Sequence, residues 1–547
     1  MSNTDEQPAP AEQQWGRVLI CGGTDWPKLG RKDRGGAAKE EKEPPLNPDL
    51  LEPHILRSLG NVKAVSVHTS CCGCHFVVLD IDGTAWLFGR NGSSALGVSG
   101  EEYISENAPR AVKPTDLGAP KGTKFVHAAC GRNHTLLVGS DGGLWTAGAN
   151  NLGQCGHNAC PEISTFKAVN VSHGGNKEHA IQASAGITFS IVLTESGKVF
   201  SFGSAEKGQL GNGTTGERII TGNKTGYDVE SSPIYIKELD GKKIVQIVSG
   251  PQHSLALDDA GLVYVWGYNG YCRLGLGNQV DALKPKVVPQ FAGPNEATMG
   301  AYIAAGPSCS AVVDKQGMYY MTGKWKNSGE GSSGSPYSVF RFMHDVMGCK
   351  VTLARSGGVT HWFTAPEDDG SVMTVCWGQN AANGELGLGP EEAKSATKPI
   401  RNVPLTGINV IDIAAGQNTT TLIAKPNEKF ADLPRHPIDV NPPPACVKCS
   451  KDEGDPLECD KCDSQYHLAC LDPPLDAVPD GEWFCPDCLD DPGAPVGAWT
   501  LPKKKGKAKT KRAATPSLEE TSTDAGSKRK APASKGKAGA ASKKKKQ

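Results

Sequence analysis

Short apolar runs separated by glycine-containing turns recur along most of this chain. Between Cys130 and Gly156 the sequence reads CGRNHTLLVGSDGGLWTAGANNLGQCG, with one apolar run after His134, a turn that ends at Gly143 and a second run that ends at Gly148. Runs of this length bounded by glycine are typical of buried strands, and glycine supplies the positive φ that tight hairpins need. The unit is therefore predicted to contain a buried β-hairpin.

The hairpin unit is repeated at an interval of roughly 57 residues, a period that indicates a solenoid, a propeller or an array. It returns around His253, His75, Phe189, Cys309 and His361, and its first half returns around Thr419. Most units also carry a proline followed by β-branched residues, as in PIYI and PKVV. This piece adds a further strand, and about four strands per unit without a long helix favour the blade of a β-propeller.

The two ends of the repeat region complement each other. No second hairpin strand follows the half unit at Thr419, whereas GRVLICGG, which begins at Gly16, has the pattern of the missing half. A blade built from both termini closes the ring and removes free sheet edges. The sequence therefore predicts an all-β fold, with a seven-bladed propeller over residues 14–425 and a disordered N-terminus over residues 1–13.

Charge is divided unevenly along the 547 residues. The whole chain has a net charge of −1, but residues 503–547 contain 16 Lys/Arg and 3 Asp/Glu. An acidic body joined to a strongly basic tail suggests that the tail contacts a polyanion. No apolar run approaches the ~18 residues of a membrane span, and the first residues are polar, unlike a signal peptide. We therefore expect an intracellular protein without a membrane partner.

Seven of the 18 cysteines are concentrated in one short segment, where they form three C-x-x-C pairs and one H-x-x-C pair. The eight candidate ligands are Cys446, Cys449, Cys459, Cys462, His467, Cys470, Cys485 and Cys488. Each pair places two ligands on one tight turn, as tetrahedral zinc requires. Eight ligands fill two closed sites, so the sequence predicts two structural Zn²⁺ ions. Their binding would supply the folding free energy of a segment too short to bury a large core.

The end of the chain contains lysine runs, KKKGKAKTKR, SKRKAP and SKKKK, separated by small residues. There is no apolar face on which to fold, so residues 491–547 are predicted to be disordered. Lysines in this pattern neutralise phosphates without reading bases, and they also suit nuclear import. The candidate nucleic-acid contacts are Lys503, Lys504, Lys505, Lys507, Lys509, Lys511, Arg512, Lys528, Arg529 and Lys530. The alternative is a solvated tail without a role in DNA binding.

The repeated pattern G-x-x-H … W-G-x-N-x-x-G-Q-L-G resembles the regulator-of-chromosome-condensation repeat. The phrases LICGGTDWPKLGRK, HSLALDDAGLVYVWGYNGYCRLGLG and NGELGLG are similar to its second, mitosis-associated branch, which includes the telophase disc protein. Over residues 14–425 the resemblance implies a seven-bladed propeller in a family that includes exchange factors for small GTPases and chromatin-binding proteins. We interpret the recurring histidines as structural, bonded to backbone groups of the next turn.

The ligand order of four Cys, one His and three Cys resembles the plant homeodomain (PHD) finger, and Trp483 just before Cys485 strengthens the match. A RING-type ligase finger has its His one ligand earlier. The resemblance implies that the sites interleave, with Cys446, Cys449, His467 and Cys470 on one ion and Cys459, Cys462, Cys485 and Cys488 on the other. It also implies that the N-terminal tail of the third core histone binds as a strand beside residues 455–458.

The finger lacks the aromatic residue that readers of trimethyl-lysine often have before the Tyr-His pair, because Gln465 occupies that place. Carboxylates that can hydrogen-bond an unmodified ammonium are present instead. The predicted contacts with the histone tail are Asp452, Asp455, Leu457, Glu458, Asp460, Asp463 and Asp480. The alternative is that these acids are solvated surface charge.

Together these features predict a nuclear, chromatin-associated protein. The propeller is interpreted as an interaction scaffold, followed by a Pro-rich linker at residues 426–444, the PHD finger at residues 445–490 and the basic tail. The alternative function is guanine-nucleotide exchange on, or regulation of, a small GTPase through the propeller. No catalytic residue is assigned. The absence of G-x-x-x-x-G-K-[ST] from the sequence indicates that the chain is not itself a phosphate-loop GTPase.

Overall fold

The computed structural model describes residues 13–30, 48–438, 445–454, 456–479 and 481–489. Within these residues the regular structure is almost entirely β, which confirms the predicted fold class. The predicted disorder of the tail, and of residues 1–12, lies outside the described residues.

Antiparallel sheets form the seven blades of a propeller. The chain opens with β1 (Arg17–Gly22) and β2 (Leu50–Leu56). The first blade contains β3 (Ala64–His68), β4 (His75–Asp80), β5 (Ala85–Arg90), β6 (Tyr103–Ile104) and β7 (Arg110–Val112). The second contains β8 (Phe125–Cys130), β9 (His134–Gly139), β10 (Leu144–Asn150) and β11 (Cys160–Ala168), and a small hairpin of β12 (Ser172–His173) and β13 (Asn176–Lys177) follows it.

The next three blades repeat this order. The third contains β14 (Ala180–Ala185), β15 (Phe189–Thr194), β16 (Val199–Ser204) and β19 (Val229–Tyr235), interrupted by a hairpin of β17 (Arg218–Ile220) and β18 (Lys224–Gly226). The fourth contains β20 (Ile244–Ser249), β21 (His253–Asp258), β22 (Val263–Gly267) and β23 (Ala282–Val287). The fifth contains β24 (Gly300–Ala305), β25 (Cys309–Asp314), β26 (Tyr319–Gly323) and β27 (Tyr337–Phe342).

The remaining strands form the last two blades and the finger. The sixth blade contains β28 (Leu353–Ser356), β29 (Thr360–Pro366), β30 (Val372–Gly378) and β31 (Ala396–Arg401). The seventh adds β32 (Val410–Ala415), β33 (Thr419–Ala424) and β34 (Arg435–His436) to the first two strands of the chain. The finger contains β35 (Leu457–Glu458), β36 (Gln465–Tyr466) and the helix α1 (Pro486–Leu489).

Short 3₁₀ helices connect many of the strands. They are Arg57–Leu59, Gly92–Ser94, Pro114–Leu117, Lys237–Leu239, Gly270–Cys272, Pro289–Phe291, Glu296–Thr298, His344–Val346, Val403–Leu405, Phe430–Asp432 and Leu468–Cys470. None of the helices among the described residues is long and apolar enough to span a membrane.

The closing blade takes strands from both ends of the propeller, as the two half repeats predict. Its strand order is β32-β33-β1-β2-β34. The first residue of β1, Arg17, is opposite Ala424, and the last, Gly22, is opposite Thr419. All six residues of β1 are buried, because sheet neighbours cover both edges and adjacent blades cover both faces.

Part of the segment predicted as a linker packs on the propeller. Residues Arg435 and His436 pair in parallel with β2, and the buried ring of His436 is 2.7 Å from the carboxylate of Glu106 in the first blade. The side chain of Phe430 is also fully buried. The strand β34 therefore extends the closing blade, whereas residues 439–444 lie outside the described part of the chain.

The recurring histidines link neighbouring blades, which agrees with their interpretation as structural residues. The imidazole of His134 is 3.0 Å from the Ser190 hydroxyl of the next blade, and His253 is equally close to Ser310. Each of these histidines thus contacts a side-chain hydroxyl of the next blade, in addition to the backbone groups expected from the sequence. Burial lowers the pKa of His134 to about 3, so the ring is neutral and suited to this role.

One glycine of the repeat is required by close packing inside each blade. Gly148 in β10 has φ of 115°, and a Cβ atom there would lie 2.4 Å from the Cα atom of His134 in β9. Gly203 and Gly267 occupy the same place in their blades, with the same sign of φ. Residues with a side chain would therefore be strained at this position.

The central channel is lined by the innermost strand of every blade, and its side chains bind the ring together. The Gln182 side chain accepts a hydrogen bond from the Ile247 backbone at 3.0 Å. Gln246 makes the same contact with Ile303 one blade later, and Asp412 with Val67 across the closure. These polar side chains therefore link neighbouring blades around the channel.

Deleting residues 14–30 tests closure of the ring. The deletion removes β1 and leaves β33 and β2 without the strand between them. Each buried Leu or Ile that is lost accounts for ~2–5 kcal/mol, against a net stability of about 5–15 kcal/mol for a domain, so cooperative unfolding should disappear. Circular dichroism during heating measures this, with deletion of residues 2–12 as the control. An unchanged melting curve would contradict closure through both termini.

Candidate metal centre and the surface of the finger

The eight predicted metal ligands form two groups of four. In the first, Cys446, Cys449, His467 and Cys470 have their ligand atoms within 4.8 Å of one another. In the second, the same holds for Cys459, Cys462, Cys485 and Cys488. Each group fits the tetrahedral, closed coordination of structural zinc. The prediction of two structural Zn²⁺ ions is thereby confirmed, and the two groups alternate along the sequence.

Local backbone geometry places the first ligand of each group. The N–H of Ser450 donates to the Cys446 carbonyl at 2.8 Å, and the N–H of Asp463 donates to that of Cys459 at 2.9 Å. Ser450 and Asp463 both have positive φ, which closes each C-x-x-C turn tightly enough for two sulfur atoms to face one ion. The hairpin of β35 and β36 then connects the two groups.

The two groups differ in exposure. All four cysteines of the second group are fully buried, whereas three members of the first are half-buried. In the first group the Nδ1 atom of His467 faces the thiols, 3.3 Å from Cys449. Burial by itself would raise the pKa of Cys446, but backbone N–H groups, first that of His467, lower it and favour the thiolate that zinc requires.

The second group lies at an interface with the propeller. The Ser464 hydroxyl, beside Cys462, donates to the carbonyl of Gly60 at 2.6 Å. On the other side of the group, Asp487 of α1 accepts from Lys63 at 2.8 Å and from the Tyr466 hydroxyl at 2.5 Å. The finger is therefore docked on the first residues after β2, a contact that sequence reasoning missed.

Two arginines of the propeller bind carboxylates of the finger. The Arg57 guanidinium is 3.2 Å from the Asp463 carboxylate and 3.6 Å from that of Glu458. Arg435 of β34 also reaches Asp463, at 3.6 Å. Asp463 is nearly buried between them, with 7% of its side chain exposed, whereas Glu458 is 43% exposed. Asp463 therefore contributes to docking of the finger.

The other residues predicted to contact a histone tail have diverse environments. Asp452 is exposed in the loop after the first cysteine pair, and Leu457 is half-buried in β35. Asp460 is exposed but accepts a hydrogen bond from the Trp483 backbone at 2.6 Å. Asp455 and Asp480 lie outside the described residues, and so do all the lysines and arginines predicted to contact nucleic acid.

The finger contains no exposed aromatic cage at the position considered above, within its described residues. Gln465 is buried in β36 with 7% of its surface exposed. Trp483 is half-buried and packs edge-on against Tyr466, with ring centroids 5.9 Å apart. Trp483 is thus part of the small core of the finger.

Replacing His467 with alanine tests the paired sites. The substitution leaves one group with three protein ligands, and zinc affinity and finger stability should fall together because metal binding drives folding. Zinc per chain, measured by atomic spectroscopy, should be two in the native protein and one or fewer in the variant. Replacing the exposed propeller residue His179 with alanine is the control. Fewer than two ions in the native protein would reject the assignment.

Comparison with known proteins agrees with both parts of the structure. The model of the RCC1-like domain matches residues 17–422, and that of the PHD-finger matches residues 445–488. The chain is 30% identical over 438 residues to Protein RCC2 homolog from Xenopus laevis, covering 77% of this chain and 81% of that protein. It is 28% identical over 301 residues to the human X-linked retinitis pigmentosa GTPase regulator, covering 47% and 28%.

A solved structure shows the same fold. Prp20p from Saccharomyces cerevisiae, studied together with its binding properties to Gsp1p and histones, matches with a TM-score of 0.58 and 20% identity, over 76% of this chain and 92% of that chain. The family model covers most of the chain, and the relative from Xenopus is 30% identical over 81% of its own length. The chain therefore belongs to the family of RCC1-like domain proteins and adds a PHD finger to the propeller.

Proposed function

We propose that the protein is a nuclear, chromatin-associated adaptor whose PHD finger binds the N-terminal tail of a core histone. The observation that supports this most directly is a PHD finger with two complete ligand groups, held on an RCC1-like propeller. Prp20p, which shares the propeller fold, is described with binding properties to histones. The propeller would provide the scaffold that positions the finger.

The proposed peptide site lies along β35. Among the described residues this strand pairs with β36 alone, so a peptide can add as a strand at its other edge. The exposed carboxylate of Asp452 and that of Glu458, which is 43% exposed, supply negative charge on the finger, together with Asp460. Asp455 and Asp480 stay in the proposed site, whereas Asp463 is occupied by Arg57 and Arg435.

The site should prefer an unmodified lysine over a trimethylated one. A carboxylate accepts charge-assisted hydrogen bonds from a donor-bearing ammonium, each contributing ~1.5–3 kcal/mol, and trimethylation removes every donor. With Gln465 buried, the position before Tyr466 offers no aromatic face in compensation. A loss of ~1.4 kcal/mol corresponds to a tenfold weaker complex.

Titrating the whole chain with unmodified and trimethylated peptides of the third core histone tests this preference. We expect binding of the unmodified peptide to be at least about tenfold tighter. Asp452→Asn should weaken it, whereas Glu391→Gln, an exposed acid on the sixth blade, should have no effect. Tighter binding of the trimethylated peptide would contradict the preference, and no binding of either would reject the histone proposal.

We further propose that the basic tail binds DNA without sequence preference. The 16 lysines and arginines of residues 503–547 are interspersed with small residues, so they can meet phosphates in many arrangements. This contact would hold the adaptor on chromatin while the finger binds a tail peptide.

The salt dependence of DNA binding tests the role of the tail. If about ten basic residues contact phosphates, the affinity should fall ~10³–10⁵-fold between roughly 50 and 200 mM salt. Fluorescence anisotropy with duplexes of unrelated sequence measures this, and residues 1–502 are the matched control without the tail. Equal binding by the truncated protein, or a flat salt response, would refute the proposal.

Regulation of a small GTPase is the second candidate function. It is supported by similarity to a human protein named as a GTPase regulator. Acceleration of nucleotide release from a GTPase recovered with the chain would favour this function. The zinc sites and the histone preference are independent of that result.

A further inference from the structure

One residue of the closing strand is charged where its neighbours are apolar. The sequence of β1 is RVLICG, and its first residue, Arg17, is 1% exposed. Its Nη1 atom donates to the Val62 carbonyl at 2.9 Å, and its guanidinium lies 5.0 Å from the centre of the Trp15 ring. A buried cation in a strand that closes the fold is costly unless nearby groups balance it.

The hydrogen bonds of Arg17 are incomplete within the described part of the chain. Its Nε and Nη2 atoms are buried and have no hydrogen-bond partner there. The Nη2 atom is 3.8 Å from the carboxylate of Asp487, which already accepts from Lys63 and Tyr466. Two nitrogen atoms of this buried guanidinium, Nε and Nη2, therefore remain able to donate hydrogen bonds to a further acceptor.

The four-cysteine group lies on the same side, because Asp487, 3.8 Å from Arg17, stands between the ligands Cys485 and Cys488. The ligand Cys462 is 3.0 Å from the Ser464 hydroxyl that donates to Gly60, two residues before the Arg17 acceptor Val62. Burial by itself would lower the pKa of Arg17, yet Cys462, Cys485, Cys488 and Asp487 raise it above its ordinary value. These three cysteines belong to the fully buried second group. Four thiolates around one Zn²⁺ ion have a double negative net charge, and in this buried setting that charge requires a nearby cation.

We propose that Arg17 of the propeller is the counter-cation of the four-cysteine zinc centre, so that zinc binding in the finger also stabilises closure of the ring. The geometry gives both partners a reason to be buried together. The zinc-thiolate group gains a positive charge nearby, and the two buried nitrogen atoms of Arg17 that have no partner gain a negatively charged neighbour. The finger also has a buried cation of its own, Lys461, whose Nζ atom lies 4.9 Å from the centre of the Phe484 ring.

The consequence is thermodynamic linkage between two parts that are far apart in sequence. A ligand that binds only the folded state stabilises that state. Here the bound ion would stabilise the position of Arg17, which is paired with β33 in the closing blade. Loss of zinc from the second group should therefore weaken β1 as well as the finger. An RCC1-like propeller without a docked finger would not have this dependence on metal.

Zinc release from the whole chain tests the charge pairing. Arg17→Met keeps much of the side-chain length but removes the charge, and we expect one of the two ions to be released at least about tenfold faster to a chromogenic chelator. Arg341→Met is the matched control, because Arg341 of β27 is an exposed propeller arginine that pairs with the Glu330 carboxylate in the fifth blade. Its ions should be released at nearly the native rates. Native release rates for both ions in Arg17→Met would overturn the proposal.

Hydrogen exchange of the native chain tests the linkage without any substitution. Removing zinc with a chelator should increase exchange of the β1 amides that pair with β33, while β21 of the fourth blade stays protected. If Arg17→Met fails to fold, this measurement decides alone. Unchanged protection of β1 after both ions have been removed would overturn the proposal.

Discussion

Insertion of β1 between β33 and β2 is the contact on which the rest of the structure depends. It joins residues that are about 400 positions apart, and it leaves neither edge of the strand open. The residues that follow β2 then receive the finger, through Arg57, Gly60 and Lys63. The N-terminal segment therefore closes the ring, and it also positions the PHD finger, which follows the propeller in the sequence.

Docking of the finger is electrostatic in character, with basic residues on the propeller and acidic ones on the finger. Exposed ion pairs contribute only ~0–1 kcal/mol each, so the pair of Arg57 with the exposed Glu458 adds little by itself. Asp463 and Asp487 matter more because they are mostly buried, and removal of one partner would leave an uncompensated charge. A small number of buried pairs therefore fixes the orientation of the finger.

Local patterns in the sequence were sufficient for the blades, the closure and the zinc ligands. Each of these depends on residues whose spacing is short and periodic, such as the C-x-x-C pairs or the apolar run that ends at Gly148. Docking of the finger depends on contacts between residues about 400 positions apart, such as Arg57 with Asp463, which no periodicity reports. A sequence feature that could have indicated this docking is Arg17, a charged residue at the start of an otherwise apolar strand.

The same acidic composition serves two purposes on the finger, and burial separates them. Asp463 faces the propeller and is almost inaccessible, so a basic peptide would have to displace Arg57 and Arg435 to reach it. Asp452 lies in an exposed loop, where a basic peptide can reach it without displacing either arginine. A peptide site along β35 is therefore compatible with the docked finger only if it uses the exposed carboxylates. The buried carboxylates already pair with basic side chains of the propeller. Docking thus narrows the proposed recognition surface, and it also holds that surface in a fixed direction relative to the propeller.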